Sequence, residues 1–200
     1  SSPNIDVVKY IILRSTDGGA TYTQVASPNV GTTTYNATGL TPTTPYSWRI
    51  YAISEGGKST NLDAVQATNA PGTFTSVVSG NWNSASTWDA GSVPSPFDSA
   101  VVSAGNTVTL DATGLAINNL SVDGTLAYGT TPTSFAVNNN LTVASGGVVN
   151  VFNGTTGKTL TVTGNITNNG VIDLSVGTTT ATLTLNGTAV QTVSGSGSFN

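Results

Sequence analysis

The tightest constraint on this chain is that its second half repeats itself. "FAVNNNLTVASGGVVNV", from Phe135, is answered by "LTVTGNITNNGVIDL", from Leu160: Val137 falls on Val162, Asn140 on Asn165 and Leu141 on Ile166. The offset is 25 residues up to Gly170 and 23 beyond it, where Val149 and Val151 fall on Ile172 and Leu174. Weaker copies begin at Val108, "VTLDATGLAINNLSVDGTL", and at Leu183, "LTLNGTAVQTVSG". Each copy alternates apolar and polar residues at period two and breaks at Gly and Asn, the pattern of short strands joined by tight turns. A unit of about 20 to 25 residues buries too little apolar surface to stand alone, and stacking removes the difficulty because each coil covers the next.

The repeat therefore predicts an all-β solenoid over residues 100–200, a right-handed parallel β-helix. Backbone ladders should run between coils about 4.8 Å apart. The inward set should include Val108, Leu110, Leu120, Val122, Phe135, Val137, Leu141, Val143, Leu160, Val162, Ile166, Leu174, Leu183 and Leu185. A two-sheet jelly roll is the alternative, and it does not require a repeated offset. The last residues, "VQTVSGSGSFN", read as the middle of a further coil with no polar cap, so the parent polypeptide is expected to continue.

The first 70 residues have a different texture. "VVKYIILRS", "TTTYNATGL" and "YSWRIYAIS" alternate at period two, and Asp17-Gly18-Gly19, Pro42 and Gly56-Gly57 supply turns. Strands of this length and spacing predict an antiparallel sandwich. Leu40, Pro42, Thr44 and Tyr46 form an L-x-P-x-T-x-Y pattern. It resembles the tyrosine corner and following strand of fibronectin type III modules. "YIILRSTDGGATYTQVA" is similar to that fold's third strand, hairpin and next strand, and "GGKST" before "LDAVQAT" extends the likeness over residues 5–69. The resemblance implies two further strands ahead of Val7, so the chain is expected to start inside that domain. "NAPGT", residues 69–73, is the junction. The resulting domains are 1–70, fibronectin type III-like without its first two strands; 71–99, linker and solenoid cap; and 100–200, incomplete solenoid.

Between the two lies "SGNWNSASTWDAGSVP", in which Trp82 and Trp88 stand among small polar residues. The first coil of a solenoid needs its end closed, and each indole can bury on the order of 200 Å² while its N–H reaches a loop carbonyl. The competing role is an exposed pair that stacks on sugar rings. The W-x5-W spacing, followed by Val93-Pro94 and Asp98, resembles the segment that opens β-helical, pectate-lyase-like regions in large secreted proteins of the Bacteroidetes. That resemblance implies a cell-surface protein with strung modules, exported by type IX secretion. Asp98-Ser99-Ala100 fits the O-glycosylation pattern of that phylum, with Ser99 as acceptor; the same residues also suit a plain turn into a strand at Val101.

Chemistry is limited by what is missing. The 200 residues contain neither Cys, Met nor His, only 7% are charged, and the net charge is −4. Thiol nucleophiles, soft metal ligands and imidazole bases are thereby excluded. Lys9, Arg14, Arg49, Lys58 and Lys158 are scattered, so no basic stripe awaits nucleic acid. No apolar run reaches the roughly 20 residues that span a bilayer, so no membrane insertion is expected. From residue 100 onward the ionisable side chains are Asp111, Asp123, Lys158 and Asp173. Glycoside hydrolysis needs two carboxyl groups about 5 to 10 Å apart, and only Asp111 with Asp123 are candidates. Asp17 in "STDGGATY" has the look of a calcium loop, but Asp-Gly-Gly is ordinary hairpin chemistry.

Sequons at Asn36, Asn119, Asn140, Asn153, Asn165 and Asn186 mostly restate the repeat, in which Asn can hydrogen-bond from coil to coil at the corners. No catalytic residue, cofactor or metal is expected. The expected role is a non-catalytic structural or adhesive segment of a large extracellular or cell-surface protein. Its partners would be the rest of the parent polypeptide and, in addition, surface glycans or other surface proteins. The alternative is a carbohydrate-binding accessory region that uses Trp48, Tyr51, Trp82 or Trp88.

Overall fold

The computed structural model describes residues 7–131, 133–151, 157–176 and 179–200. The chain divides into two compact units, Ser1–Ala70 and Pro71–Asn200.

In the first unit the strands Thr23–Ala26, Val7–Ser15, Pro45–Ser54 and Gly57–Lys58 lie in that order in one antiparallel sheet, and Leu62–Ala67 also pairs with Pro45–Ser54. Ile12 stands opposite Ile50, Tyr10 opposite Ala52 and Leu62 opposite Ile50, which places these apolar side chains on one face. Arg49, opposite Leu13 and Asp63, belongs to the other. The tight reversal after Val7–Ser15 is possible because Gly18 and Gly19 take φ of 73° and 95°, where a Cβ would be strained. Tyr46 is buried, and its hydroxyl oxygen accepts the Thr41 N–H at 2.9 Å, closing the corner read from the L-x-P-x-T-x-Y pattern.

One expectation fails here. "TTTYNATGL" alternates like a strand, yet no strand forms over residues 32–40. The segment runs extended against the apolar face, with the Tyr35 and Trp48 ring centroids 6.3 Å apart, and no described strand lies beside it to complete a ladder. Alternation decides which side chains point inward, but a strand exists only with a partner.

The second unit is a parallel β-solenoid of about five turns with three faces. Face I stacks Thr73–Thr75, Ser99–Val102, Asn119–Val122, Leu141–Val143, Ile166–Asn168 and Val193–Ser194. Face II stacks Gly80–Asn81, Thr107–Leu110, Thr125–Tyr128, Val148–Asn150, Val171–Asp173 and Ser198–Phe199. Face III holds Leu115–Ile117, Ser134–Val137, Thr159–Val162 and Thr182–Leu185. Every pairing between coils is parallel, which removes the jelly roll. The register follows the repeat read from the sequence: Val137 lies on Val162, Leu141 on Ile166 and Val149 on Ile172.

Inward residues meet the coil above and the coil below, and the core runs unbroken from Ala100 to Ile172. Of the expected inward set, the residues from Val108 to Ile166 are buried, while Leu174 and Leu183 are partly so. Leu185 does not fit: it is 43% exposed, because no described strand pairs with the outer edge of Thr182–Leu185.

Two devices hold the corners. Where face I turns into face II, Gly124, Gly147 and Gly170 succeed one another, and the carbonyl of each accepts an N–H from the coil that follows, from Val148, Val171 and Ser198 in turn. A Cβ at Gly147 would strike the Val122 carbonyl oxygen, and one at Gly170 the Gly147 carbonyl oxygen. Only a residue without a side chain lets the backbones come this close. Where face III turns into face I, the Asn119 Oδ1 accepts the Asn140 N–H, the Asn140 Oδ1 accepts the Asn165 N–H at 2.9 Å, and the Asn165 Oδ1 accepts the Thr192 N–H at 2.8 Å. Three of the sequons are therefore rungs of one corner ladder. Asn186 accepts from the Thr163 hydroxyl at 3.0 Å, Asn36 lies in the extended segment, and Asn153 lies outside the described residues.

Candidate functional site

The segment that closes the amino-terminal end of the solenoid is the most organised feature outside the coils. Trp82 extends face II, its N–H donating to the Thr109 carbonyl at 2.8 Å, and its indole enters the core. The Trp88 ring packs edge-on against it, centroids 5.0 Å apart at 75°, and Phe135 meets Trp82 at 5.0 Å and 67°. The Trp88 Nε1–H donates to the Trp82 carbonyl at 2.8 Å, so its polar edge is satisfied inside. Trp82 is 0% and Trp88 2% exposed, and neither offers a ring face to a sugar.

The same segment covers an edge. Val77 donates to the Thr87 carbonyl and Asp89 to the Thr75 carbonyl, both at 2.9 Å, and the Thr75 N–H reaches the Asp89 carboxylate at 3.0 Å. The outermost strand of face I is thus paired antiparallel at its end, which blunts an otherwise open ladder. Asp98 secures the base of the segment: its carboxylate accepts the Gly72 N–H at 2.7 Å and the Ser95 N–H at 2.8 Å. Sequence reasoning placed Asp98 in the W-x5-W segment and in a modification pattern, not in this bonding role. Its distance in sequence from Gly72 hid the staple.

Ser99 lies in the face I strand Ser99–Val102, half-buried, with its Oγ accepting from the Asn119 side-chain amide at 3.3 Å. It stands at the head of the Asn ladder and also begins the strand, and the strand starts at Ser99 rather than at Val101.

The carboxylates of the solenoid are not gathered. Asp111 accepts from the Asn83 N–H at 3.2 Å and from its side-chain amide at 3.0 Å, tying the cap to the first full coil. Asp123 accepts from the Ser121 hydroxyl at 3.2 Å. Asp123 precedes Thr125–Tyr128, Asp111 follows Thr107–Leu110, and these strands lie in register. The two carboxyl groups therefore sit at opposite ends of face II, on the order of 15 to 20 Å apart at a rise of about 3.3 Å per residue. That exceeds the separation either glycosidase geometry uses. Asp173 lies on Asn150, as the repeat aligned them. Among the described residues no three carboxylates come together to hold a metal.

Polar residues inside the stack escaped sequence reasoning. Lys158 is buried, with its ammonium donating to the Thr130 carbonyl at 3.0 Å. Tyr128 is buried one coil earlier, its hydroxyl donating to the Thr159 carbonyl at 2.8 Å, and burial pushes the phenol well above its ordinary pKa. Asn168 takes the inward position that Val143 holds in the preceding coil, donating to the Ser198 carbonyl at 2.9 Å and accepting the Gly170 N–H at 3.1 Å. The signal was present for Asn168 alone, as a break in an otherwise aliphatic file.

In the first unit, Asp17 is consumed by its own turn: it accepts from the Ser15 hydroxyl at 2.6 Å and from the Thr21 N–H at 2.9 Å, and these bonds hold its pKa far below the usual carboxylate range. Trp48 is half-buried, tilted against Tyr46 and edge-on to Tyr35. Tyr51 lies under the Lys58 ammonium, 3.5 Å from its ring centroid. On the same side Arg49 sits 4.3 Å from the Tyr22 ring centroid and forms a two-pronged bond with Asp63, both contacts 2.7 Å, which lowers the Asp63 pKa to about 2.

These features define an all-β protein in which an antiparallel sheet with a tyrosine corner precedes a plugged parallel solenoid. Residues 1–68 match the family model of the Fibronectin type III domain. Among solved structures, a pectate lyase from Erwinia chrysanthemi in complex with tetragalacturonic acid is similar at 15% identity and a TM-score of 0.27, over 100% of this chain and 72% of that one. No curated protein sequence matches. No helix among the described residues is long and apolar enough to cross a membrane.

Proposed function

We propose that this chain is a non-catalytic structural or adhesive segment of a large extracellular or cell-surface protein, in which the two units act as spacer and display surface. The observation that carries the reading is the use made of the few ionisable groups. Asp98 and Asp111 staple the cap, Asp123 and Asp173 stand at separate places on the coils, and Lys158 is spent on a backbone carbonyl. A fibronectin type III match ahead of a solenoid supports a modular surface protein, with the rest of the parent polypeptide as its first partner. Origin in the Bacteroidetes and export by type IX secretion belong to this proposal through the W-x5-W resemblance.

The test is incubation of the purified chain with polygalacturonate and a panel of other polysaccharides, followed by assay of new reducing ends and unsaturated products. No products are expected; activity that disappears in Asp111→Asn would overturn the reading. Binding to a glycan array that is lost in Tyr51→Ala or Trp48→Ala, with folding retained, would move the assignment to a carbohydrate-binding accessory region.

A further inference from the structure

Asparagine followed by glycine is a chemically fragile step in a polypeptide, because glycine has no side chain to hold its amide nitrogen away from the asparagine carboxamide. The nitrogen attacks Cγ and an N–Cγ bond forms. The side-chain nitrogen leaves as ammonia, carrying the amide proton, and water opens the cyclic imide to aspartate or isoaspartate. The chain contains three such steps: Asn153-Gly154, which lies outside the described residues, Asn169-Gly170 and Asn186-Gly187. Asn169 and Asn186 are both exposed to water.

In each of the two described pairs the attacking nitrogen is bound to a side-chain amide. The Gly170 N–H donates to Asn168 Oδ1 at 3.1 Å, and the Gly187 N–H donates to Gln191 Oε1 at 2.7 Å. The acceptors are themselves fixed. Asn168 is buried and donates to the Ser198 carbonyl at 2.9 Å, while the Gln191 side-chain amide donates to the carbonyls of Val162 and Gly164 at 3.0 and 2.6 Å. The target carboxamides are engaged as well, Asn169 Oδ1 by the Ser196 N–H at 3.2 Å and Asn186 Oδ1 by the Thr163 hydroxyl at 3.0 Å. Asn168 takes the place of Val143 in the coil where this corner reads Asn-Gly. At Asp123-Gly124 both N–H groups share the Val102 carbonyl at 2.9 Å, whereas the Val143 carbonyl takes the Asn169 N–H at 2.8 Å and the Gly170 N–H turns to Asn168.

We propose that Asn168 and Gln191 keep Asn169 and Asn186, two modification sites built into the coils, from conversion to isoaspartate. A bonded N–H retains its proton, and an engaged carboxamide does not swing to the separation of about 3 to 3.5 Å from which ring closure proceeds. The protection matters most at Gly170. Isoaspartate adds a methylene to the main chain directly before a residue whose backbone lies too close to the Gly147 carbonyl to admit a Cβ, so one conversion would break the corner.

The test is ageing of the folded 200-residue chain in warm, mildly alkaline buffer beside the same chain in denaturant, with peptide mass spectrometry locating each exchange of amide for acid. Asn169 and Asn186 should persist in the folded chain long after both have converted in denaturant. Asn168→Val restores the aliphatic file and should speed conversion at Asn169 about tenfold, the rate factor of one hydrogen bond, with Asn186 unchanged. Gln191→Leu should do the same at Asn186 and spare Asn169. Conversion of the folded wild-type chain at the rate seen in denaturant overturns the proposal. So do unchanged rates in the two variants, since the backbone alone would then be holding the glycine nitrogens. Acceleration at both sites together in either variant overturns it too, because general loosening rather than a local bond would be the cause.

Discussion

The two units solve the same problem, the burial of one side of alternating strands, in opposite ways. Among the described residues of the first, five strands share one layer, and the side chains on one face of it meet the segment that leans on it. In the second, an inward residue in the middle of the stack has three faces to meet around the coil and an equivalent residue above and below, and core side chains from Val108 to Ile172 are removed from water almost completely. Alternation alone therefore does not make a core. Closure of the chain on itself lets the solenoid bury strands of only four residues.

Glycine substitutions offer the largest break in this comparison. Gly147→Ala should destabilise the solenoid by about 3 kcal/mol or more, since the new Cβ meets backbone rather than a movable side chain. Gly18→Ala, in a turn with open space around it, should cost about 1 kcal/mol for its positive φ alone. Chemical denaturation followed separately for each unit reads both. Equal losses would mean that the corner relaxes and the stacking account is wrong.

Trp88→Ala should come next. Removal of a buried indole from the plug is expected to lower the stability of the solenoid by about 3 kcal/mol, and calorimetry should show the solenoid transition moving while that of the first unit stays in place. If both transitions move together, the units are not independent. Asn140→Ala cuts one rung of the corner ladder at an exposed position and should cost about 1 kcal/mol, with hydrogen exchange accelerating at the Asn165 N–H.

The smallest effect is electrostatic and confined to the first unit. Asp63 titrates at about 2 in the folded chain, held down first by Arg49, against an ordinary value near 3.8 in the unfolded one. The pairing thus stabilises the fold above the unfolded value, and that contribution fades as pH falls from about 4 through 2. Acid titration should soften the first unit over this window, and Asp63→Asn should remove that part of the dependence. A depressed Asp63 pKa that persists in Arg49→Gln would show that the two-pronged bond is not its cause.

How far the sequence could be read follows the same division. The repeat was legible because stacking demands chemical equivalence at equivalent positions, so Val137 and Val162, or Asn140 and Asn165, had to match. Tyr46 was legible because a corner is local. What escaped was set by contacts at long range. Asp98 reaches back to Gly72, Lys158 reaches across to Thr130, and Leu185 is exposed because of what does not lie above it. Residues 32–40 carried a strand's alternation, and only the pattern of neighbours could reveal that the ladder does not form. Trp82 and Trp88 showed their importance by isolation among small residues, while the edge pairing that the same segment supplies to Thr75 and Val77 left no mark in composition.

The corner where face II turns into face III accepts what the glycine corner refuses. Its connections span 111–114, 129–133, 151–158 and 174–181, the last two being longer than the first two, while the register of the strands on either side is kept. Connections on that side can thus be exchanged or extended without disturbing the pitch. A scaffold of this kind would diversify along one rail and stay invariant along the other, and new recognition surfaces would be grafted there first.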